Sequence, residues 1–240
     1  MGGDIFRFKQ FVIHQAQSAM KVGTDGVLLG SWVDLRGTER HILDIGTGTG
    51  LIALMVAQRS SAWQAKIEAV EIEVAAATEA QQNVNNSPWK SSIKVSNIDF
   101  QTFAARATDK YDLVVSNPPY FNGTYKSKDV ERTAARHSEL LNSDDLLFGV
   151  TSVLDEKGRF VAIFPYQTAA VFVAKAASAG LFCNRIMEIY SKPSSGIKRV
   201  MAEFSFTKRL LITEKLTILN AEGDYSEDLR RLTCDFYLKF

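Results

Sequence analysis

The run Ile42-Leu-Asp-Ile45 passes directly into Gly46-Thr-Gly-Thr-Gly50, and the reading of the whole chain turns on this stretch. A short apolar segment stops at three alternating glycines, and good helix formers take over through Arg59. Strand, tight turn and helix in that order make the first unit of a doubly wound sheet. Glycine permits the turn and lets the backbone come close to a ligand at the carboxyl end of the strands.

Working outward, the same alternation continues to about residue 208. Strands are expected near residues 42–45, 67–72, 93–98, 112–116, 160–164, 184–190 and 200–207. Helix formers fill 50–59 and 74–86, where Asn86-Ser87-Pro88 ends the second helix, and Ser143-Asp144-Asp145 reads as the start of a helix reaching Leu154. Between the last two strands lies only Lys192-Pro-Ser-Ser-Gly196, too short for a crossover helix, so these strands pair antiparallel. The expected fold is α/β: a doubly wound, Rossmann-like, seven-stranded and mainly parallel sheet with an antiparallel C-terminal hairpin. One domain spans 1–240, with 1–40 as an N-terminal extension, 41–208 as the sheet core and 209–240 as an appendage carrying a helix over 226–238.

Composition narrows the class. The chain has 240 residues, 46% hydrophobic and 23% charged, which excludes intrinsic disorder. No apolar run approaches the roughly 20 residues of a membrane span, and no secretory signal is present. Cys183 and Cys234 are too few for a disulfide framework and lack metal-ligand spacing, as do His14, His41 and His137, so a cytoplasmic protein without a metal is expected. With 28 Lys+Arg against 27 Asp+Glu, any attraction to nucleic acid must come from a local patch.

The glycine turn alone is a weak signal. Glu71 strengthens it, because it ends the second strand 21 residues after Gly50, where a carboxylate can accept hydrogen bonds from both ribose hydroxyls of an adenosine. A dinucleotide would call for a third glycine at position 51, which is Leu51, and no Walker-type Gly-Lys-Ser/Thr occurs. A ligand with an adenosine and no phosphate fits better. S-adenosylmethionine is such a ligand, and its amino group would need a negative cradle such as Asp44. Asp99, ending the third strand, is placed for the adenine amino group with Phe100 beside the ring; a helix cap is an equal reading of Asp99.

After the fourth strand comes Asn117-Pro118-Pro119-Tyr120. Two prolines fix φ and remove donors, so the carbonyls of this loop are held ready to accept hydrogen bonds. Asn117 adds an amide oxygen and Tyr120 a flat face. A planar ring bearing an NH₂ group would satisfy all of these, its hydrogens taken by Asn117 and Pro118 and its face covered by Tyr120.

Asp44 to Gly50, Val70-Glu71 and Asn117 to Tyr120 together resemble the class I S-adenosylmethionine-dependent methyltransferases that modify exocyclic or amide nitrogens. Upstream, Phe8-Lys-Gln-Phe11 and Met20-Lys-Val-Gly-Thr-Asp-Gly-Val-Leu-Leu-Gly30 resemble the bacterial tRNA-Val adenine-N6 methyltransferases, over nearly the whole chain. The resemblance implies a tRNA substrate methylated beside the anticodon. It implies that Asp44, Gly46, Thr47, Gly48, Gly50, Glu71, Ile72, Asp99, Phe100 and Asn117 line the cofactor pocket, and that Asn117, Pro118, Pro119 and Tyr120 hold the base. It further implies that the 21–26 segment folds over the methionine end, with Lys21 and Asp25 at the cofactor. Guanine-N2 methylation of ribosomal RNA, glutamine-amide methylation, a nicotinamide oxidoreductase and a non-catalytic RNA-binding module are the competing readings. The 40 residues before the sheet leave little room for the N-terminal domain of the glutamine enzymes. No obligate protein partner is called for.

If RNA is the substrate, cations should ring the pocket. From Cys183 to Arg209 six positive residues face two negative ones, and Lys128, Arg132 and Arg136 repeat at helical spacing. Phe6, Phe8 and Phe11 interleave with Arg7 and Lys9, a mixture that either stacks bases or packs the arm onto the domain.

Overall fold

In the computed structural model, which describes residues 3–118 and 141–240, the chain opens with a hairpin of β1 (Ile5–Arg7) and β2 (Val12–His14) and a helix α1 (Thr24–Trp32). The alternation expected from the glycine turn follows: β3 (His41–Ile45), α2 (Leu51–Arg59), β4 (Lys66–Glu71), α3 (Val74–Asn85), β5 (Ile93–Asn97), α4 (Phe100–Arg106) and β6 (Tyr111–Ser116). From residue 141 onward come α5 (Ser143–Val153), β7 (Leu154–Pro165), α6 (Tyr166–Ser178), β8 (Phe182–Tyr190), β9 (Ile197–Ser205), β10 (Ile212–Thr217) and α7 (Glu227–Thr233).

Among the described residues the large sheet has the order β10-β8-β9-β7-β6-β3-β4-β5. It is parallel except for β9, which runs antiparallel to both β7 and β8, so the expected hairpin is present. The sheet has eight strands where seven were expected. Residues 212–217 leave the predicted appendage and pair parallel with β8. This strand was illegible because it lies at an edge: of its residues only Leu216 is buried, so it lacks the apolar run of its neighbours. The C-terminal helix is also shorter than expected, because after Thr233 the chain turns to bury Phe236.

Both faces of the sheet are covered, which is why its strands read as unbroken apolar runs. Ile42, Leu113, Val115, Val161 and Ile163 join the core under α1, α2 and α3, while Leu43, Val114, Phe160, Ala162 and Phe164 join the core under α5 and α6. Helices α1 and α2 cross closely over glycines. A Cβ at Gly30 would stand 2.7 Å from Met55 Sδ, and one at Gly26 would stand 3.0 Å from Leu51 Cδ2. The N-terminal aromatics pack the arm in place: Phe8 and Phe11 are buried, stacked on each other at 4.6 Å, with Trp89 edge-on to Phe11. Lys9 Nζ ties the arm to the other terminus by donating to the Cys234 and Phe240 carbonyls, each at 2.6 Å.

At the amino edge of the sheet Arg159 is buried. It donates to Glu203 Oε2 at 3.0 Å, to Glu39 Oε1 at 2.5 Å and to the Asp34 carbonyl at 2.7 Å. Both glutamates are themselves buried, so removing the guanidinium leaves Glu39 with backbone donors and, among the described residues, no ion-pair partner, and Glu203 with only Arg36 at 3.5 Å. Arg159→Ala is expected to lower unfolding stability by about 3–5 kcal/mol. Urea denaturation measures this, and a loss below about 1 kcal/mol would show that the cluster relaxes onto water.

Candidate active site

The carboxyl edge of the sheet brings together the ends of β3, β4, β5, β6 and β7. Leaving β3, the chain makes its turn with Gly46, Gly48 and Gly50 all left-handed, at φ of 69°, 56° and 82°. Any other residue would be strained there. The turn is held from outside by β4: Gly46 N–H and Thr47 N–H both donate to the Val70 carbonyl, and Gly48 N–H donates to Glu71 Oε2 at 2.9 Å. No heavy atom comes within 4 Å of a Cβ built on Gly46 or Gly48, so space is open beside the turn.

Asp44 lies beneath this turn, 1% exposed. Its Oδ2 accepts from the Thr47 hydroxyl at 2.6 Å and from the Ala53 backbone at 3.1 Å. Its Oδ1 is buried and has no partner. Burial pushes the carboxyl up to about 7, against the pull of the Thr47 and Ala53 hydrogen bonds and with the Glu71 charge adding to the rise. A buried acid with one unsatisfied oxygen is a receptor for a cation or a strong donor.

Glu71 is buried at the end of β4, with Oε2 taken by Gly48 and Oε1 accepting from Glu73 N–H at 3.0 Å. A carboxylate offers about four acceptor positions, so each oxygen retains one for a diol. Asn97, which the sequence reading passed over, fixes this segment by donating to the Glu71 and Ile72 carbonyls at 2.8 and 2.9 Å. Its only signal in the sequence was its place at the end of the third strand.

The remaining predicted residues divide. Asp99 is the cap of α4, its Oδ1 accepting from Thr102 N–H at 2.7 Å, which holds its carboxyl below the usual range. Phe100 turns inward: its ring is buried, and a Cβ on Gly149 would stand 2.4 Å from it, so Phe100 brings its backbone and not its ring to the edge. Lys21 Nζ bonds Asp4 at 3.2 Å. Asp25 forms an ion pair with Arg199 at 2.8 Å on β9, so its carboxylate already has a cationic partner. Gly26 presses on Leu51, the residue after Gly50, which brings the start of α1 beside the turn.

Asn117 is half-buried and Pro118 buried at the end of β6. The register pairs Ile45 with Ser116, and Ser116 Oγ donates to the Ile45 carbonyl at 3.0 Å. Gly46 and Asn117 are therefore next neighbours at the ends of adjacent strands. Pro119, Tyr120, Lys128, Arg132, Arg136 and His137 lie outside the described residues. The cation excess of 183–209 does not gather on one surface. Lys192, Lys198 and Arg199 are at the carboxyl edge, Lys208 and Arg209 follow β9 at the amino edge, and Arg185 is held by Glu214 and Trp32.

Two buried polar residues of α3 hold the N-terminal segment against the site. Asn83 donates to the His14 and Thr49 carbonyls and accepts from His14 N–H. Glu79 accepts from the Gln17 and Ser18 backbones and from the Ser18 hydroxyl. Neither carries a motif; only burial on a helix identifies them.

Residues 16–157 match the family described as the methyltransferase small domain. The chain is 45% identical over 240 residues, all of both chains, to a tRNA1(Val) (adenine(37)-N6)-methyltransferase of Trichodesmium erythraeum. It is 40% identical to the enzyme of that description from Haemophilus influenzae, covering 98% of this chain and 99% of the other. Among solved structures, a predicted O-methyltransferase from Agrobacterium tumefaciens superposes with a TM-score of 0.69 at 20% identity, covering 88% of this chain and 96% of that one, a likeness of fold.

The Asp44 carboxyl carries a pH signature. Its folded value of about 7 lies above the ordinary aspartate value of 3.8, so the folded protein binds the extra proton between those limits and stability falls as pH rises through that window. Asp44→Asn is expected to gain on the wild type by up to about 1.4 kcal/mol per pH unit across that range. Urea titrations at several pH values test this; parallel stability curves for the two proteins would refute it.

Proposed function

The chain belongs to the methyltransferase small-domain family and, within it, to the tRNA1(Val) (adenine(37)-N6)-methyltransferases, and from that premise we propose that it methylates N6 of adenine 37 in tRNA1(Val). The methyl donor is S-adenosylmethionine. The observation that best supports this reading is the juxtaposition of the left-handed glycine turn, above the partnerless Asp44 oxygen, with Asn117-Pro118 on the neighbouring strand.

The residues present suit that donor. Asp44 answers an ammonium with a buried, unsatisfied oxygen, Glu71 retains acceptor positions for two ribose hydroxyls, and Gly46 and Gly48 leave space for the chain joining them. Asp99 and the Phe100 backbone are assigned to the adenine, and Ile72 flanks Glu71 on the segment fixed by Asn97. Asp25, already paired, is assigned to holding Arg199 and the start of α1, which leaves the ammonium to Asp44. When bound, S-adenosylmethionine supplies a sulfonium methyl so electrophilic that transfer requires alignment and no strong general base.

The alignment falls to the loop after β6. Asn117 accepts one hydrogen of the exocyclic amine through its amide oxygen and the Pro118 carbonyl accepts the other, which turns the nitrogen lone pair toward the methyl group. Pro118 and Pro119 have fixed φ and contribute no N–H donor of their own to this motif. Tyr120 is assigned the face of the ring on the sequence motif. The base has to leave its stack to reach the pocket, and an anticodon loop lowers that cost. Residues 1–240 are assigned to one methyltransferase domain in which 1–40 cover the donor. Among the described residues no helix is long and apolar enough to cross a membrane, and a tRNA-modifying enzyme is assigned to the cytoplasm, where its substrate is.

Methyl transfer to tRNA1(Val), read as N6-methyladenosine by nucleoside mass spectrometry, tests the reading. Asn117→Ala should lower kcat about a hundredfold with S-adenosylhomocysteine binding retained, and Glu71→Ala should weaken that binding at least tenfold. Undiminished N6-methyladenosine from Asn117→Ala would overturn the assigned role of the loop.

A further inference from the structure

The strand that carries the site farthest outward is β7. Its last pair with β6 joins Ala162 to Ser116, and it continues through Pro165 before α6 begins at Tyr166. Tyr166, the first residue of the helix that follows β7, therefore stands just past the level of Asn117-Pro118 and is 50% exposed. The antiparallel register with β9 pairs Pro165 with Arg199, which brings Lys198 on β9 and Tyr166 at the start of α6 to the same edge. The hairpin joining β8 to β9 closes beside them. Within residues 191–199 it carries three cations, Lys192, Lys198 and Arg199, and no acid.

The anions nearby are accounted for. Asp25 is paired with Arg199, and the Tyr190 hydroxyl donates to Glu188 at 2.8 Å. Glu222 and Asp224 belong to the turn after β10, on the far side of β8 from the site. The hairpin is not loose: Ser195 Oγ accepts from the Ser191 and Lys192 N–H groups and donates to the Lys192 carbonyl, so its two exposed lysines project from a fixed frame.

Resting on the function proposed above, we propose that Tyr166 and the β8–β9 hairpin form the platform that receives the anticodon loop, Tyr166 stacking on a base beside the extruded adenine and Lys192 and Lys198 neutralising the phosphates that follow it. β6, β7, β9 and β8 are consecutive strands about 4.8 Å apart, so the hairpin lies roughly 10–15 Å along the edge from Asn117. That is the span of about two nucleotides of unstacked RNA. An exposed aromatic beside cations is the pairing by which single-stranded segments are held without reading their sequence. With a total charge of only +1, attraction has to be local to one edge, and Lys208 and Arg209 lie at the opposite edge, away from the site.

The test measures binding of the tRNA1(Val) anticodon stem-loop by fluorescence anisotropy over a range of salt, alongside steady-state methylation and calorimetric binding of S-adenosylhomocysteine. For the double variant Lys192→Ala/Lys198→Ala, the dependence of log affinity on log salt should weaken by about 1.4, two contacts at roughly 0.7 each. Its KM for tRNA should rise at least about tenfold with kcat within about twofold. Tyr166→Ala should weaken RNA binding about tenfold to hundredfold, and Tyr166→Phe should restore it, because the ring and not the hydroxyl is used. Lys208→Ala serves as the control at the opposite edge, with the wild-type slope expected. A double variant with wild-type slope and affinity overturns the platform, as does one that loses S-adenosylhomocysteine in parallel with RNA. If the wild type binds the stem-loop without methylating it, the function falls and the slope still judges the platform; if it neither binds nor methylates, both fall.

Discussion

The site depends on keeping a carboxylate in a place that water does not reach. Asp44 is held by one oxygen through Thr47 and Ala53, both on the turn and helix that follow it in sequence, and its other oxygen is left without a partner. Such a group is costly to the apo protein, because desolvation disfavours its charge and raises its pKa. An ammonium in the position proposed for the methyl donor would offset that cost. Instability of this kind, concentrated where a ligand binds, turns binding into an event that also stabilises the fold.

Around that carboxylate the surrounding structure has little freedom. Three left-handed glycines shape the turn, the β4 backbone and Glu71 hold it from one side, and Asn83 holds Thr49 from the other. The same asparagine binds His14, and its neighbour one helical turn earlier, Glu79, binds Gln17 and Ser18. One helix thus coordinates the turn and the segment leading into α1. The close crossing of Gly26 and Gly30 on Leu51 and Met55 then sets α1 against the helix that begins at the turn. The N-terminal residues are in this way fixed beside the glycine turn.

The two edges of the sheet have different duties. At the amino edge Arg159 is enclosed by Glu39, Glu203 and the Asp34 carbonyl, a closed and fully paired cluster. At the carboxyl edge groups are left open: an oxygen of Asp44, the space beside Gly46 and Gly48, and the exposed ring of Tyr166. Parallel strands create this division, since every strand-to-helix connection emerges at the carboxyl edge and every helix-to-strand connection at the amino edge, and the crevice for a ligand lies outside the carboxyl ends.

The sequence by itself determined what is local. The glycine turn, Glu71 at the end of the next strand, the prolines after Asn117 and the hairpin at Lys192 to Gly196 were all readable, because φ restriction and strand-end position are properties of a few consecutive residues. It left Asp99 open between cap and ligand, and the tertiary structure shows the cap in place. Only that structure decided that Phe100 faces the core, that Asp25 belongs to Arg199, that residues 212–217 form an eighth strand, and that the cations of 183–209 divide between two edges. Each of these depends on a partner far away in sequence, and a side chain's neighbours across a sheet follow from strand order and register, which no short stretch of residues encodes.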